Sequence, residues 1–308
     1  MGENIVDNDG TVIRLKGFAR PSLEWDKQGQ FLSEQDFANM KKWGANTIRV
    51  SLTQDLWFNS KAIDVKGSYK QIIDAIIYYA TQNRMAVILD LHWTKEGAGQ
   101  PKMANKDSLR FWTEVATKYK DFGTVLFELF NEPQGINKDE WLSGNSQFSG
   151  YQQLYEAVRD TGAKNICIIN GLEWGFNLDF LSEADQYKYA IKGDNIVYGS
   201  HPYRRSYESI YSSLAGVINK YPMLFTEFGD NAPEDYPNSF ASSYINTLLF
   251  LNQTNGSYTA WAWWVSPANP AFPTLIADWK NATAINGGVI VKDDMEKYPA
   301  TSLPITTK

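Results

Sequence analysis

The sequence predicts an α/β protein of the (β/α)8 class, a TIM barrel preceded by a short N-terminal β-hairpin. Three observations carry that expectation. Eight short segments rich in β-branched and aromatic residues recur along the 308 residues, and amphipathic helical segments fill most of the intervals. No Gly-x-Gly-x-x-Gly turn follows an early strand, as a doubly wound nucleotide-binding sheet would require.

From Asn4 to Leu15, two short apolar runs flank Asp9-Gly10, which reads as a hairpin. The second run, from Val12 to Gly17, is the candidate first strand. Ser33 stands where an N-cap belongs, with Phe37, Met40 and Trp43 at helical spacing behind it and Gly44 as the stop. Asn46 to Ser51 follows as strand two. Between Tyr69 and Arg84, Ile72, Ile73, Ile76, Ile77 and Ala80 share one helical face, after which Ala86 to His92 changes period and becomes strand three.

Leu109 to Tyr119 repeats the helical pattern and leads into strand four, which begins at Val125 and ends abruptly in Asn131-Glu132-Pro133. Proline cannot donate to a sheet ladder and biases the residue before it toward an extended backbone, so Glu132 is left at the rim. Tyr151 to Asp160 is helical, Asn165 to Asn170 is strand five, and Ile196 to Ser200 is strand six. A helix from Tyr207 to Asn219, strand seven from Met223 to Glu227, a helix from Phe240 to Leu251 and strand eight from Tyr258 to Trp264 complete the alternation. No interior linker interrupts it, so residues 1–308 are expected to form a single catalytic domain. Met1-Gly2 reads as an added start on a trimmed chain, and the tail from Ala300 as a frayed end.

With 29 Lys and Arg against 35 Asp and Glu, a net charge of -6 offers no basic footprint for nucleic acid or an anionic membrane. No apolar run reaches the roughly 20 residues that span a bilayer. A neutral substrate fits that balance. Cys167, the one cysteine, has no internal partner and lies in a predicted buried strand, where an inert thiol is expected.

At the carboxyl tips of the predicted strands stand Arg49, His92, Asn131 with Glu132, His201 with Tyr203, Glu227, and Trp263 or Trp264. Barrel enzymes keep their chemistry at that level, and both histidines of the chain and two glutamates gather there. Two carboxylates facing each other across a barrel mouth suit glycoside hydrolysis. Two histidines, neither on strand one, are thin for a metal centre, and no metal is expected. With 11 Trp and 17 Tyr, an aromatic-lined cleft is a fair inference. Trp25, Trp57, Trp93 and Trp174 follow strand tips and are candidates for sugar subsites or for loop packing, and Asp90 and Glu128 read as internal salt-bridge or hydrogen-bond partners.

Asn46-Thr47-Ile48-Arg49, Leu89-Asp90-Leu91-His92, Asn131-Glu132-Pro133, His201-Pro202-Tyr203 and Thr226-Glu227-Phe228-Gly229, in that order, resemble glycoside hydrolase family five, the cellulase and mannanase family of clan A. Strand one departs, because Gly17-Phe18-Ala19-Arg20 lacks the Gly-x-Asn often found there. The resemblance implies a retaining mechanism with Glu132 as acid/base and Glu227 as nucleophile beside Arg49 and Tyr203. It implies Asn131 as donor to a sugar 2-hydroxyl, His92 and His201 as partners of the sugar or the acids, and Trp264, or else Trp263, as the stacking ring. No cofactor is implied. The substrate expected is a neutral β-linked polysaccharide, first β-1,4-glucan cut internally, with mannan or β-1,3-glucan as alternatives. A secreted monomer is the expected form, and a non-catalytic carbohydrate-binding barrel the remote alternative.

Overall fold

Eight strands form among the described residues and close in sequence order into one parallel barrel, seven of them on the predicted segments and the first later than expected. They are β1 (Lys16–Arg20), β2 (Thr47–Thr53), β3 (Ala86–Trp93), β4 (Val125–Glu128), β5 (Cys167–Asn170), β6 (Ile196–Gly199), β7 (Met223–Phe225) and β8 (Ser257–Ala260). The computed structural model describes residues 4–61, 67–182, 184, 186–230, 239–266, 268–269 and 272–303. The helices are α1 (Glu34–Lys42), α2 (Gln54–Phe58), α3 (Tyr69–Gln82), α4 (Asp107–Tyr119), α5 (Lys138–Ser143), α6 (Tyr151–Arg159), α7 (Leu172–Gly175), α8 (Tyr207–Leu214), α9 (Ser239–Gln253) and α10 (Gly287–Lys297). Ser33 caps α1 as its sequence position predicts, its hydroxyl accepting the Asp36 amide at 3.3 Å. A reciprocal Ser68/Gln71 capping box opens α3.

Strand parity sorts the apolar residues into two cores. Phe18, Ile48, Val50, Val87, Leu89, Phe127, Ile169, Tyr198 and Phe225 face outward and pack with the inner faces of the helices. Residues of the opposite parity, Ala86, Ile88, Leu126, Ile168, Val197 and Leu224, fill the barrel interior together with Ile5, Ile13, Leu15 and Leu303. One step further along the strands, that interior row turns polar at Arg49, Asp90, Glu128 and Asn170, all buried. The barrel is therefore oily below and ionic at its carboxyl end.

The N-terminal hairpin is present, with Ile13 N–H donating to Ile5 O at 2.8 Å. Its second run is not strand one, however, because β1 starts only at Lys16. Ile13 and Leu15 serve instead as the plug of the barrel floor, and the Arg14 guanidinium between them reaches Gly256 O at 2.9 Å and Leu251 O at 3.1 Å. The tail is not frayed as far as Leu303. Thr301 N–H donates to Arg14 O at 3.1 Å, Asn46 Nδ2 donates to Thr301 O at 2.8 Å, and Leu303 is buried in the floor. Residues 304–308 and the opening Met1-Gly2 lie outside the described residues.

α8 stops at Leu214, short of the Asn219 expected. The chain after it runs against the backbone at Leu181, where a Cβ on Gly216 would collide with Leu181 O. No helix among the described residues is long and apolar enough to cross a membrane.

Candidate active site

Arg49, rising from β2 into the polar end of the barrel, organises the site. Its guanidinium donates to Glu128 at 2.5 and 3.0 Å, to Glu227 at 2.5 Å and to the Asn131 side-chain carbonyl at 2.7 Å, and forms an ion pair with Asp90 at 2.9 Å. Asp90 and Glu128 are thus the internal partners their sequence context suggests. Burial would loosen the arginine's proton, but three carboxylates outweigh it and hold the group well above its ordinary value. The same pairing, with His201, takes Glu128 down to about 2 against its own burial. Burial pushes Asp90 up to about 6, with Arg49 as its main counterweight.

Glu227 lies just past β7, whose pairing ends at Phe225. One carboxylate oxygen meets Arg49 and the other accepts the Tyr203 hydroxyl at 2.8 Å. Burial favours its proton, yet Arg49, His201 and His92 together lower its pKa, so it stays ionised. Glu132, beyond the end of β4, accepts from His201 Nδ1 at 2.9 Å and keeps a partly exposed edge.

The other ring nitrogen of His201 donates to the Thr226 hydroxyl at 2.8 Å, and that hydroxyl donates to the Asn170 carbonyl oxygen at 3.3 Å. Both nitrogens are then donors, as an imidazolium requires. Although burial opposes the charge, Glu227, Glu128 and Glu132 push His201 up to about 10. His92 donates from Nδ1 to Asp90 at 2.7 Å, and that pairing overcomes burial and takes it up to about 9.

A carboxylate oxygen of Glu132, a nitrogen of His201 and a carboxylate oxygen of Glu227 lie within 4.8 Å of one another. Such a trio could surround a cation, but its atoms are already committed to Arg49, Tyr203, Thr226 and each other. A metal ion would also have to share the space with the Arg49 charge.

Every polar residue singled out from the sequence converges here: Arg49, His92, Asn131, Glu132, His201, Tyr203 and Glu227. The tryptophans do not follow. β8 ends at Ala260, so regular strand alternation does not reach them. Trp263 is fully buried, its indole N–H donating to Asp36 at 2.7 Å. Trp264 turns toward Trp25, Phe31, Trp279 and Arg20. The ring lying flat against His92, at 5.8 Å and 8° between planes, is Trp261.

Among the subsite candidates, Trp57 is buried with its N–H on Glu114 at 2.9 Å and is core. Trp93 and Trp25 are half-buried near His92 and Trp264 respectively, and Trp174 is exposed. Sequence reasoning also missed Asn170, which ties Glu128 at 2.6 Å to the Asn131 backbone at 2.7 Å, and whose only signal was its place at a strand tip.

A family model described as Cellulase (glycosyl hydrolase family 5) matches residues 6–267. An endoglucanase of Clostridium saccharobutylicum is 24% identical over 312 residues, covering 98% of this chain and 65% of that protein. The chain thus spans about two thirds of that relative's length. The catalytic domain of the major endoglucanase from Xanthomonas campestris pv. campestris superposes with a TM-score of 0.78 at 19% identity, over 96% of this chain and 98% of that one. A β-glucanase from Saccharophagus degradans in complex with cellotetraose gives a TM-score of 0.74 at 20% identity, over 96% and 92%.

Proposed function

The chain belongs to glycosyl hydrolase family 5, and from that premise we propose that it cuts β-1,4-glucan internally with retention, using Glu227 as nucleophile and Glu132 as acid/base. The single observation that carries this reading is the approach of the two carboxylates to within 4.8 Å. A gap that short matches the roughly 5 Å of retaining enzymes and leaves no room for the water that inverting enzymes place between acid and sugar.

In the first step Glu227 attacks the anomeric carbon while Glu132 gives its proton to the departing glycosidic oxygen, leaving a glycosyl ester on Glu227. In the second, Glu132 takes a proton from water, and the resulting hydroxide displaces Glu227. Arg49 and Tyr203 keep the nucleophile ionised, and His201 orients Glu132 through Nδ1. Asn131 spends one amide hydrogen on Gln100, at 2.8 Å, and keeps the second for a sugar 2-hydroxyl. Trp261 replaces Trp264 as the stacking ring. His92 lies parallel to that ring and holds it in place beside the carboxylates.

The glucan preference is supported by the relatives' names and by the cellotetraose bound to the Saccharophagus enzyme. Mannan and β-1,3-glucan are the substrates to set against it. Residues 1–308 act as one catalytic unit, a secreted monomer working on a polymer too bulky to import.

Reducing-sugar release from carboxymethylcellulose tests the assignment. Wild type is active, excess chelator leaves that activity unchanged, and Glu132→Ala and Glu227→Ala each lose nearly all of it. Equal release from all three proteins rejects the assignment, and an α-anomer as the first product seen by proton NMR rejects retention.

A further inference from the structure

The connection from β3 to α4 sends one uncharged side chain to the reacting groups. Gln100 is half-buried, and its carboxamide meets residues 31 and 32 positions further along the chain. Its Oε1 accepts from Asn131 Nδ2 at 2.8 Å, while its Nε2 donates to Glu132 O at 3.0 Å and to Pro101 O at 3.2 Å. One amide thus grips both the residue assigned to the sugar 2-hydroxyl and the backbone of the proposed acid/base.

Chemistry dictates how these groups face each other. The two backbone carbonyls can only accept, so they claim the Gln100 nitrogen and leave its oxygen for Asn131. Arg49 can only donate, so it claims the Asn131 oxygen, at 2.7 Å, and leaves the nitrogen for Gln100. Asn131 is buried, with its oxygen pinned by Arg49 and one amide hydrogen pinned by Gln100. The plane of its amide is therefore fixed from two sides, and with it the direction of the remaining N–H.

Gln100 is itself anchored. Just before it, Gly97 and Gly99 take left-handed φ values of +67° and +75°, which glycine adopts without steric cost. Just after it, Gln134 N–H donates to Lys102 O at 2.9 Å, and Met103 and Ala104 are buried. The connection after β3 is thereby fastened to the connection after β4.

We propose that Gln100 is a positioning residue for hydrolysis, aligning the free Asn131 N–H with the sugar 2-hydroxyl as the bond to Glu227 forms and breaks. That alignment counts most where charge develops on the ring, so its loss falls on kcat and leaves KM near its wild-type value. The inference rests on the hydrolase reading of the preceding section.

The test compares 4-nitrophenyl β-cellobioside with its analogue lacking the 2-hydroxyl on the sugar that carries the nitrophenyl group. The ratio of kcat/KM on the two substrates, measured on one preparation and set against the same ratio for wild type, cancels both their intrinsic reactivities and the folded fraction. Gln100→Ala lowers kcat/KM roughly three- to tenfold on the cellobioside, as loss of one hydrogen-bond partner implies, and by less than about twofold on the 2-deoxy analogue. Gln100→Glu keeps an oxygen for Asn131 and returns the ratio to the wild-type value, even where the lost donor to Glu132 O slows both substrates. Equal losses on the two substrates, the mark of a purely structural residue, overturn the proposal, and so does no loss on either. A Gln100→Glu ratio equal to that of Gln100→Ala also overturns it. A wild type inactive on both the cellobioside and carboxymethylcellulose overturns the proposed function itself.

Discussion

Exchanging Glu24 for glutamine shifts the balance of stability between acid and alkaline solution by an amount the structure allows to be worked out. Glu24 is fully buried in the connection after β1, with Oε2 accepting the Ser22 amide at 2.8 Å and Oε1 lacking a hydrogen-bond partner. Burial raises its carboxyl from 4.5 to about 7, with His92 pulling the other way and Asp90 adding to the rise. A carboxyl raised in the folded state holds its proton more tightly there than in the unfolded chain. Its contribution is fully present below the unfolded value and is lost as pH climbs toward the folded one. Between pH 5 and pH 8 that loss comes to roughly 2.5 kcal/mol. Glutamine keeps the shape and an acceptor for Ser22 but has no proton to lose. In urea denaturation run on both proteins, Glu24→Gln therefore gains about 2.5 kcal/mol on wild type from pH 5 to pH 8, the other titrations cancelling to first order. A difference that stays constant within about 0.5 kcal/mol across that range refutes the reasoning.

Arg49→Met takes from Asp90, Glu128 and Glu227 the charge they share and leaves them only His92 and His201. A loss of roughly 3–5 kcal/mol is expected, read by denaturation, together with a Glu227 that ionises less readily and an acid limb of kcat/KM moved to higher pH. Trp57→Ala removes a fully buried ring and costs about 3–5 kcal/mol, while kcat/KM per folded molecule holds. A fall in kcat/KM on folded Trp57→Ala returns that residue to the list of sugar contacts.

The barrel was legible because period and parity are local properties. Isoleucines at helical spacing in α3 and the β-rich run of β3 state their own geometry, and Pro133 states where β4 must stop. Strand one was misplaced because Val12 to Leu15 alternates as a barrel strand does, and only the closed floor reveals that Ile13 and Leu15 point into it. α10 escaped notice since it opens on Gly287-Gly288, poor helix formers. Packing demands both, because a Cβ on Gly287 would strike the Tyr244 ring and one on Gly288 would strike Leu275 O.

At the site, the polar set could be found from strand tips, for a charged group has few other reasons to end a buried strand. The stacking ring could not. Trp261, Trp263 and Trp264 are alike in composition, and the choice among them depends on where β8 ceases to pair. Glu24 was invisible for the opposite reason: an acid in a loop is ordinarily solvated, and only tertiary closure around Ser22 takes it out of water.

The floor of the barrel has a further consequence. Arg14 and Thr301 are clasped together beneath the strands, at the end of the barrel away from the mouth, so a circular permutant that links the chain between these two positions should need only a short bridge and should leave the rim residues where they are.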